Sequence, residues 1–178
     1  MYQKILVALD NSPARSTLLE KAISMAKAMQ ADLMLVHALS AYDESSPGLP
    51  VQSYHSYYPS VDSFAWETYQ KRWLAYEKAE AEDLQKAVEE ASAQEVKAEF
   101  KQAAGDPGRV ICNVARSWEA DLILIGNRGR TGLSEFLLGS VSNYVMHHAP
   151  CSVLVVHNKP TAKKSSAKHQ TATVGTST

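Results

Sequence analysis

Residues 121–156, DLILIGNRGRTGLSEFLLGSVSNYVMHHAPCSVLVV, hold the pattern from which the fold is read. The stretch opens on an apolar run, Leu122 to Ile125, bounded by Asp121 and Gly126, which reads as a strand buried on both faces. A glycine-rich loop follows, then a helix entered at Ser140, then a second apolar run from Cys151 to Val156. Strand, loop, helix, strand is the unit in which open parallel sheets hold ligands beyond the carboxyl ends of their strands.

Three glycines punctuate the loop: Gly126, Gly129 and Gly139. A backbone that approaches a polyanion closely needs positions without a Cβ. Ser140 reads as the N-cap of the helix, which leaves the amides of Val141 and Ser142 as unpaired N-terminal donors. Such donors, together with the helix dipole, make a phosphate site. Arg128 and Arg130 add positive charge to the same loop. The plainer alternative is that the glycines only make turns and Ser140 only caps; the whole pattern in this setting favours phosphate.

Outward from this stretch, strands and helices alternate. Lys4 to Leu9 is a short apolar strand ending in Asp10, Asn11, Ser12 and Pro13. Ser12 followed by Pro13 predicts a helix start, and Leu18, Leu19, Ala22, Ile23, Ala26 and Met29 then recur at helical spacing. Asp10 therefore sits at the carboxyl end of the first strand, where the ligand crevice of a parallel sheet opens; its other available role is turn formation. Leu33 to Ala38 is a second buried strand, in which His37 reads as a strand residue rather than a ligand. Residues 40–63 form an unusual insertion with Pro47, Pro50, Pro59 and a cluster of tyrosines, Tyr54, Tyr57 and Tyr58. A loop of that length is either functional or solvated.

From Val61 to about Ala93 the pattern is helical, with Tyr69, Trp73, Tyr76, Leu84, Val88 and Ala91 on one broad face. Val96, Ala98 and Phe100 alternate with charged residues and predict a third strand at a sheet edge. Gly105 to Gly108 predicts a turn, and Arg109 to Trp118 a short helix. After His157 the chain becomes rich in Lys, Ser, Thr and Ala, and is expected to be a disordered tail over 158–178, leaving 1–157 as one domain. Strands alternating with helices in this way imply an α/β fold with a doubly wound parallel sheet.

Composition bounds the function classes. The chain has 178 residues, a formal net charge of −1, and 45% apolar and 21% charged residues, ordinary for a soluble globular domain and without the single-sign field of a nucleic-acid binder. No apolar segment reaches membrane-spanning length, so no membrane association is expected. The two cysteines, Cys112 and Cys151, form no C-x-x-C and read as buried small hydrophobes, consistent with a cytoplasmic protein. A P-loop signature and a G-x-G-x-x-G after the first strand are both absent, which argues against those two nucleotide folds.

The spacing G-x-x-G, nine residues, G-[ST] is met by Gly126, Gly129, Gly139 and Ser140, and resembles the universal stress protein family. The opening KILVALDNSP, the segment LMLVHAL and the run GDPGRVICNVARSWEADLILIGNRG are also similar to that family. The resemblance covers residues 3 to 157 apart from the insertion and implies five strands in the order 3-2-1-4-5, with the crevice between the first and fourth. It implies an adenine-nucleotide ligand, ATP, AMP or a cyclic nucleotide, with Mg²⁺ able to bridge the phosphates. The implied contacts run from Ala8 and Asp10, through the Ala38 backbone at the adenine edge, to Gly126, Arg128, Gly129, Gly139, Ser140, Val141 and Ser142 at the phosphates. Ala8 stands where some ATP-binding members have proline. The resemblance further implies a homodimer paired through Ser152–Val156.

Three functions are therefore carried forward. The first is a stress-response nucleotide-binding module that signals as a homodimer. The second is a weak nucleotide hydrolase or autophosphorylating protein, disfavoured because no acidic pair accompanies the glycine loop and Glu135 lies there alone. The third is a nucleotide-independent dimeric scaffold with a protein partner.

Overall fold

A computed structural model of the chain describes residues 1–41, 45–49, 63–127 and 138–157. Arg128, Gly129, Arg130, Glu135, most of the Tyr- and Pro-rich insertion and the tail after 157 lie outside the described residues. The element order is β1 (Lys4–Ala8), α1 (Arg15–Met29), β2 (Asp32–Leu39), α2 (Ser63–Ala93), β3 (Ala98–Ala104), α3 (Pro107–Trp118), β4 (Leu122–Gly126), α4 (Ser140–His148) and β5 (Ser152–Val156). The strands form one sheet in the order β3-β2-β1-β4-β5, and each neighbouring pair is parallel. This is the expected 3-2-1-4-5 α/β sheet.

The apolar runs of the central strands follow from burial on both faces. Ile5, Val7, Leu33, Leu35 and Leu124 pack into one layer with Leu18, Leu19 and Ile23 of α1 and Leu84, Ala87 and Ala91 of α2. Leu6, Met34, Val36, Ile123 and Ile125 face the other layer, with Ile111, Val114 and Ala115 of α3 and Val145 of α4. Each such side chain contributes roughly 1.5–3 kcal/mol when fully buried. With both faces covered, no polar alternation is possible in β1, β2 or β4.

Three helix starts differ from the sequence reading, each for a local reason. Ser12 does not cap α1: its N–H donates to Asp10 Oδ1 at 3.1 Å, and Arg15 N–H donates to the Ser12 carbonyl at 3.0 Å. The Asp10 carboxylate thus draws residues 10–12 into a turn, and α1 begins only at Arg15, with Ala14 at its cap. By contrast, α3 begins at Pro107, two residues before the predicted Arg109. Asp106 Oδ1 accepts the Arg109 N–H at 3.0 Å and proline occupies the first turn, so what read as a turn is a capped helix start. Ser140 is the first residue of α4 rather than its cap; Gly139, at φ −60° and ψ 157°, holds the cap position, and its carbonyl accepts from Asn143 N–H at 2.9 Å. The third strand starts at Ala98, with Val96 buried just ahead of it.

Gly108 lets α3 and α4 approach. A Cβ there would stand 2.6 Å from Tyr144 Cδ1 and 2.9 Å from its Cγ, atoms held in the body of α4 and stacked on His148. Gly108→Val is expected to destabilise the domain by about 1–3 kcal/mol through overpacking. Urea denaturation checks it, and the loss should shrink in the double variant with Tyr144→Ala, because the two positions share one contact.

At the opposite end of the sheet, Asp121 joins β4 to β1. Its Oδ2 accepts the backbone N–H of Gln3 at 2.8 Å and of Lys4 at 2.9 Å. These two bonds, that from Gln3 first, hold its carboxyl below the usual carboxylate range. A group depressed in the fold contributes stability above its unfolded pKa, about 3.9 for Asp, and that contribution disappears as pH falls through the lower folded value. The fall in urea midpoint below about pH 4 is therefore expected to be shallower in Asp121→Asn than in the wild type.

Long α2 buries Tyr76, Leu84, Ala87 and Ala91, while its first turns stand clear, with Phe64 76% and Trp66 45% exposed. Trp66, Tyr69, Trp73 and Tyr76 form a row with successive ring centroids 5.4, 6.1 and 5.7 Å apart. Cys112 is buried and Cys151 half-buried, and desolvation pushes both thiols above their ordinary pKa. Among the described residues no helix is long and apolar enough to cross a membrane.

Candidate functional site

The sheet order places β1 and β4 side by side, with β1 leading toward β2 and β3 on one flank and β4 toward β5 on the other. That reversal is the switch point at which such sheets bind ligands, beyond the carboxyl ends of the strands. Ala8, the last residue of β1, is in register with Val36 of β2 and Ile125 of β4. Asp10 lies two residues further on, half-buried, with Oδ1 holding the Ser12 amide. Ala38, near the end of β2, pairs with Ala103, and Gly126 ends β4 opposite Val156. Asn127 continues the ladder, its N–H donating to the Val156 carbonyl at 2.9 Å.

The start of α4 is brought to this same end of the sheet. Ser142 is 2% exposed, and its Oγ donates to the Gly126 carbonyl at 3.0 Å. One side-chain bond thus pins the first turn of α4 to the last residue of β4. The hydroxyl proton of Ser142 is committed to that bond, so what Ser142 offers a ligand is its backbone N–H. The amides of Ser140, Val141 and Ser142 occupy the first turn, where no intrahelical acceptor exists. Among the described residues no side chain caps this turn, and no acidic residue lies in it. In α3, by comparison, the Asp106 carboxylate already fills the corresponding place. The chemistry of the uncapped turn is that of an anion receptor: oriented N–H donors and the positive end of a helix dipole.

Of the predicted residues, Ala8, Asp10, Ala38, Gly126, Gly139, Ser140, Val141 and Ser142 therefore lie on the carboxyl ends of neighbouring strands or on the helix pinned to one of them. Arg128 and Gly129 fall outside the described residues. Among the described residues, no three His, Cys, Asp or Glu side chains gather as a metal site.

A polar cluster beside the crevice escaped the sequence reading. Glu80 of α2, 8% exposed, accepts Asn11 Nδ2 at 2.7 Å and Arg15 Nη1 at 3.3 Å. His37, 1% exposed, brings Nδ1 within 3.7 Å of the same carboxylate. Arg15 Nη1 also donates to Asn11 Oδ1 at 2.9 Å, and Asn11 Nδ2 reaches Ser45 Oγ at 2.6 Å. The available signal was a polar residue on each of two apolar stripes, His37 within β2 and Glu80 midway between Tyr76 and Leu84.

Comparison with known proteins agrees with the geometry. The sequence profile of the universal stress protein family matches residues 1–157. Universal stress protein Sll1388 of Synechocystis sp. is 35% identical over 158 residues, covering 88% of this chain and 99% of that one. Among solved structures, universal stress protein UspA from Lactobacillus plantarum superposes with a TM-score of 0.63 at 25% identity, over 87% of this chain and 97% of that one. A universal stress protein solved in complex with cAMP shares the fold, with a TM-score of 0.55 at 23% identity over 88% of this chain and 97% of that one.

Proposed function

The chain belongs to the universal stress protein family, and from that premise we propose that it binds an adenine nucleotide, ATP in the first instance, at the switch point between β1 and β4. The observation that carries this reading is the uncapped first turn of α4, pinned by Ser142 to the end of β4. Backbone amides of Ser140, Val141 and Ser142 take the phosphates, and Arg128 and Gly129 extend the phosphate loop by their place in the sequence. Asp10 and the Ala8 and Ala38 backbone, at the ends of β1 and β2, serve the nucleoside. Mg²⁺ is held chiefly by the phosphates, a coordination that needs few protein ligands. The cAMP carried by a relative of the same fold supports an adenine nucleotide as the ligand class.

The bound nucleotide acts as a signal rather than as a fuel turned over rapidly, and the signalling unit is a cytoplasmic homodimer. The edge strand β5 supports the dimer: it has β4 as its neighbour on one side, and Leu154 is exposed on it. Edges of this kind call for covering.

Calorimetric titration of nucleotide-stripped protein with ATP and Mg²⁺, AMP and cAMP tests the reading, with Gly129→Val as the control. Micromolar ATP binding that the control loses is the expected result. Preference for AMP or cAMP would make the chain a sensor of that molecule. Binding of none would overturn the proposal.

A further inference from the structure

Glu80 stands where α2 meets the loop that carries Asp10. Its two oxygens are divided between that loop and the helix that follows it: Oε1 accepts from Asn11, next to Asp10, and Oε2 accepts from Arg15 in the first turn of α1. His37 closes the cluster from β2, one residue before Ala38. Glu80 and His37 are buried while Asn11 and Arg15 are half-buried, and a buried carboxylate holds its geometry through its partners. Moving Glu80 therefore takes from Asn11 and Arg15 the buried acceptor they share, leaving their bond to each other and that of Asn11 to Ser45. Moving the loop in turn takes the Asn11 donor from Glu80.

On α2 itself, Glu80 follows Tyr76 by one turn. Tyr76 is the buried end of the aromatic row that runs back through Trp73 and Tyr69 to the exposed Trp66. The aromatic row and the polar joint thus share one helix, the row ending at Tyr76 one turn before Glu80, and that helix runs from the exposed Trp66 to the contact with the Asp10 loop.

We infer that Glu80 is a positioning residue for the candidate nucleotide site, setting the Asp10 loop through Asn11 and Arg15, and that through it the aromatic row of α2 is coupled to occupancy of the crevice. The inference rests on the nucleotide-binding reading. Coupling is reciprocal: if occupancy shifts α2, a change that cuts the joint at Glu80 shifts nucleotide affinity in turn.

The test uses the full chain with Trp118→Phe, so that Trp66 and Trp73 on α2 are the tryptophans that report. ATP, AMP and cAMP are titrated with calorimetric and emission readouts, into this chain and into its Glu80→Ala form. The expected result is an emission change on binding in the parent chain. In Glu80→Ala, affinity falls about five- to tenfold and the emission change is lost. A merely structural role would lower the unfolding temperature and leave the affinity and emission change of the folded protein in place. Should Glu80→Ala fail to fold, Asn11→Ala makes the same cut from the loop side and retains the Arg15–Glu80 ion pair. Parent-like affinity and emission in a folded variant would overturn the coupling while leaving nucleotide binding intact. A parent chain that binds none of the three nucleotides would overturn both.

Discussion

Ser140→Pro is expected to weaken nucleotide binding by about ten- to a hundredfold while leaving the unfolding temperature unchanged or slightly raised. Position 140 is the first residue of α4, and its N–H has no intrahelical acceptor to lose. Proline is favoured at that position because its fixed φ suits the first turn. The residue before a proline must be extended, and Gly139 already is, at ψ 157°. The substitution therefore leaves the helix intact and deletes one N–H that the phosphate would accept. A hydrogen bond to a charged group is worth about 1.5–3 kcal/mol, which sets the size of the effect. Calorimetry and a thermal melt on the same sample check it. Unchanged affinity in the folded variant would remove the first turn of α4 from the site.

Leu124→Ala is expected to destabilise the domain by about 2–5 kcal/mol. Leu124 is wholly buried in β4, in register with Val7 on one side and Leu154 on the other. Strands on both flanks prevent collapse around the missing atoms, which places the effect toward the upper end of that range. Against a typical total of about 5–15 kcal/mol, such a loss is visible as a large fall in urea midpoint with little change in slope. A midpoint within error of the wild type would show that the site relaxes freely.

What could be read from the sequence was what repeats. Buried strands such as Leu33 to Val36 are apolar without alternation, and α1 shows its inner face through Leu18, Leu19, Ala22, Ile23 and Ala26, all buried. The glycine spacing likewise located the carboxyl end of β4 and the start of α4. What could not be read depended on single side chains choosing between local partners. Asp10 draws Ser12 into a turn, whereas Asp106 caps a helix, although each is followed within three residues by proline. The hydroxyl of Ser142 holds the Gly126 carbonyl, which leaves its amide as the group it offers a ligand. The Glu80 cluster joins residues 43 to 69 positions apart, from Glu80 to His37 and to Asn11, a distance at which no periodicity speaks.

The clamp at Asp121 also bears on how the chain is made. Of the five strands of this sheet, β1 is made before the others yet lies in the middle, and Asp121, at the entrance to its neighbour β4, is 117 residues from Lys4. Until that neighbour emerges, β1 keeps an open edge of unpaired backbone groups, with the apolar side chains of Ile5, Leu6 and Val7 along it. Nascent chains stalled before β4 should therefore be the aggregation-prone species, and bound by holding chaperones, whereas chains released after β5 should not.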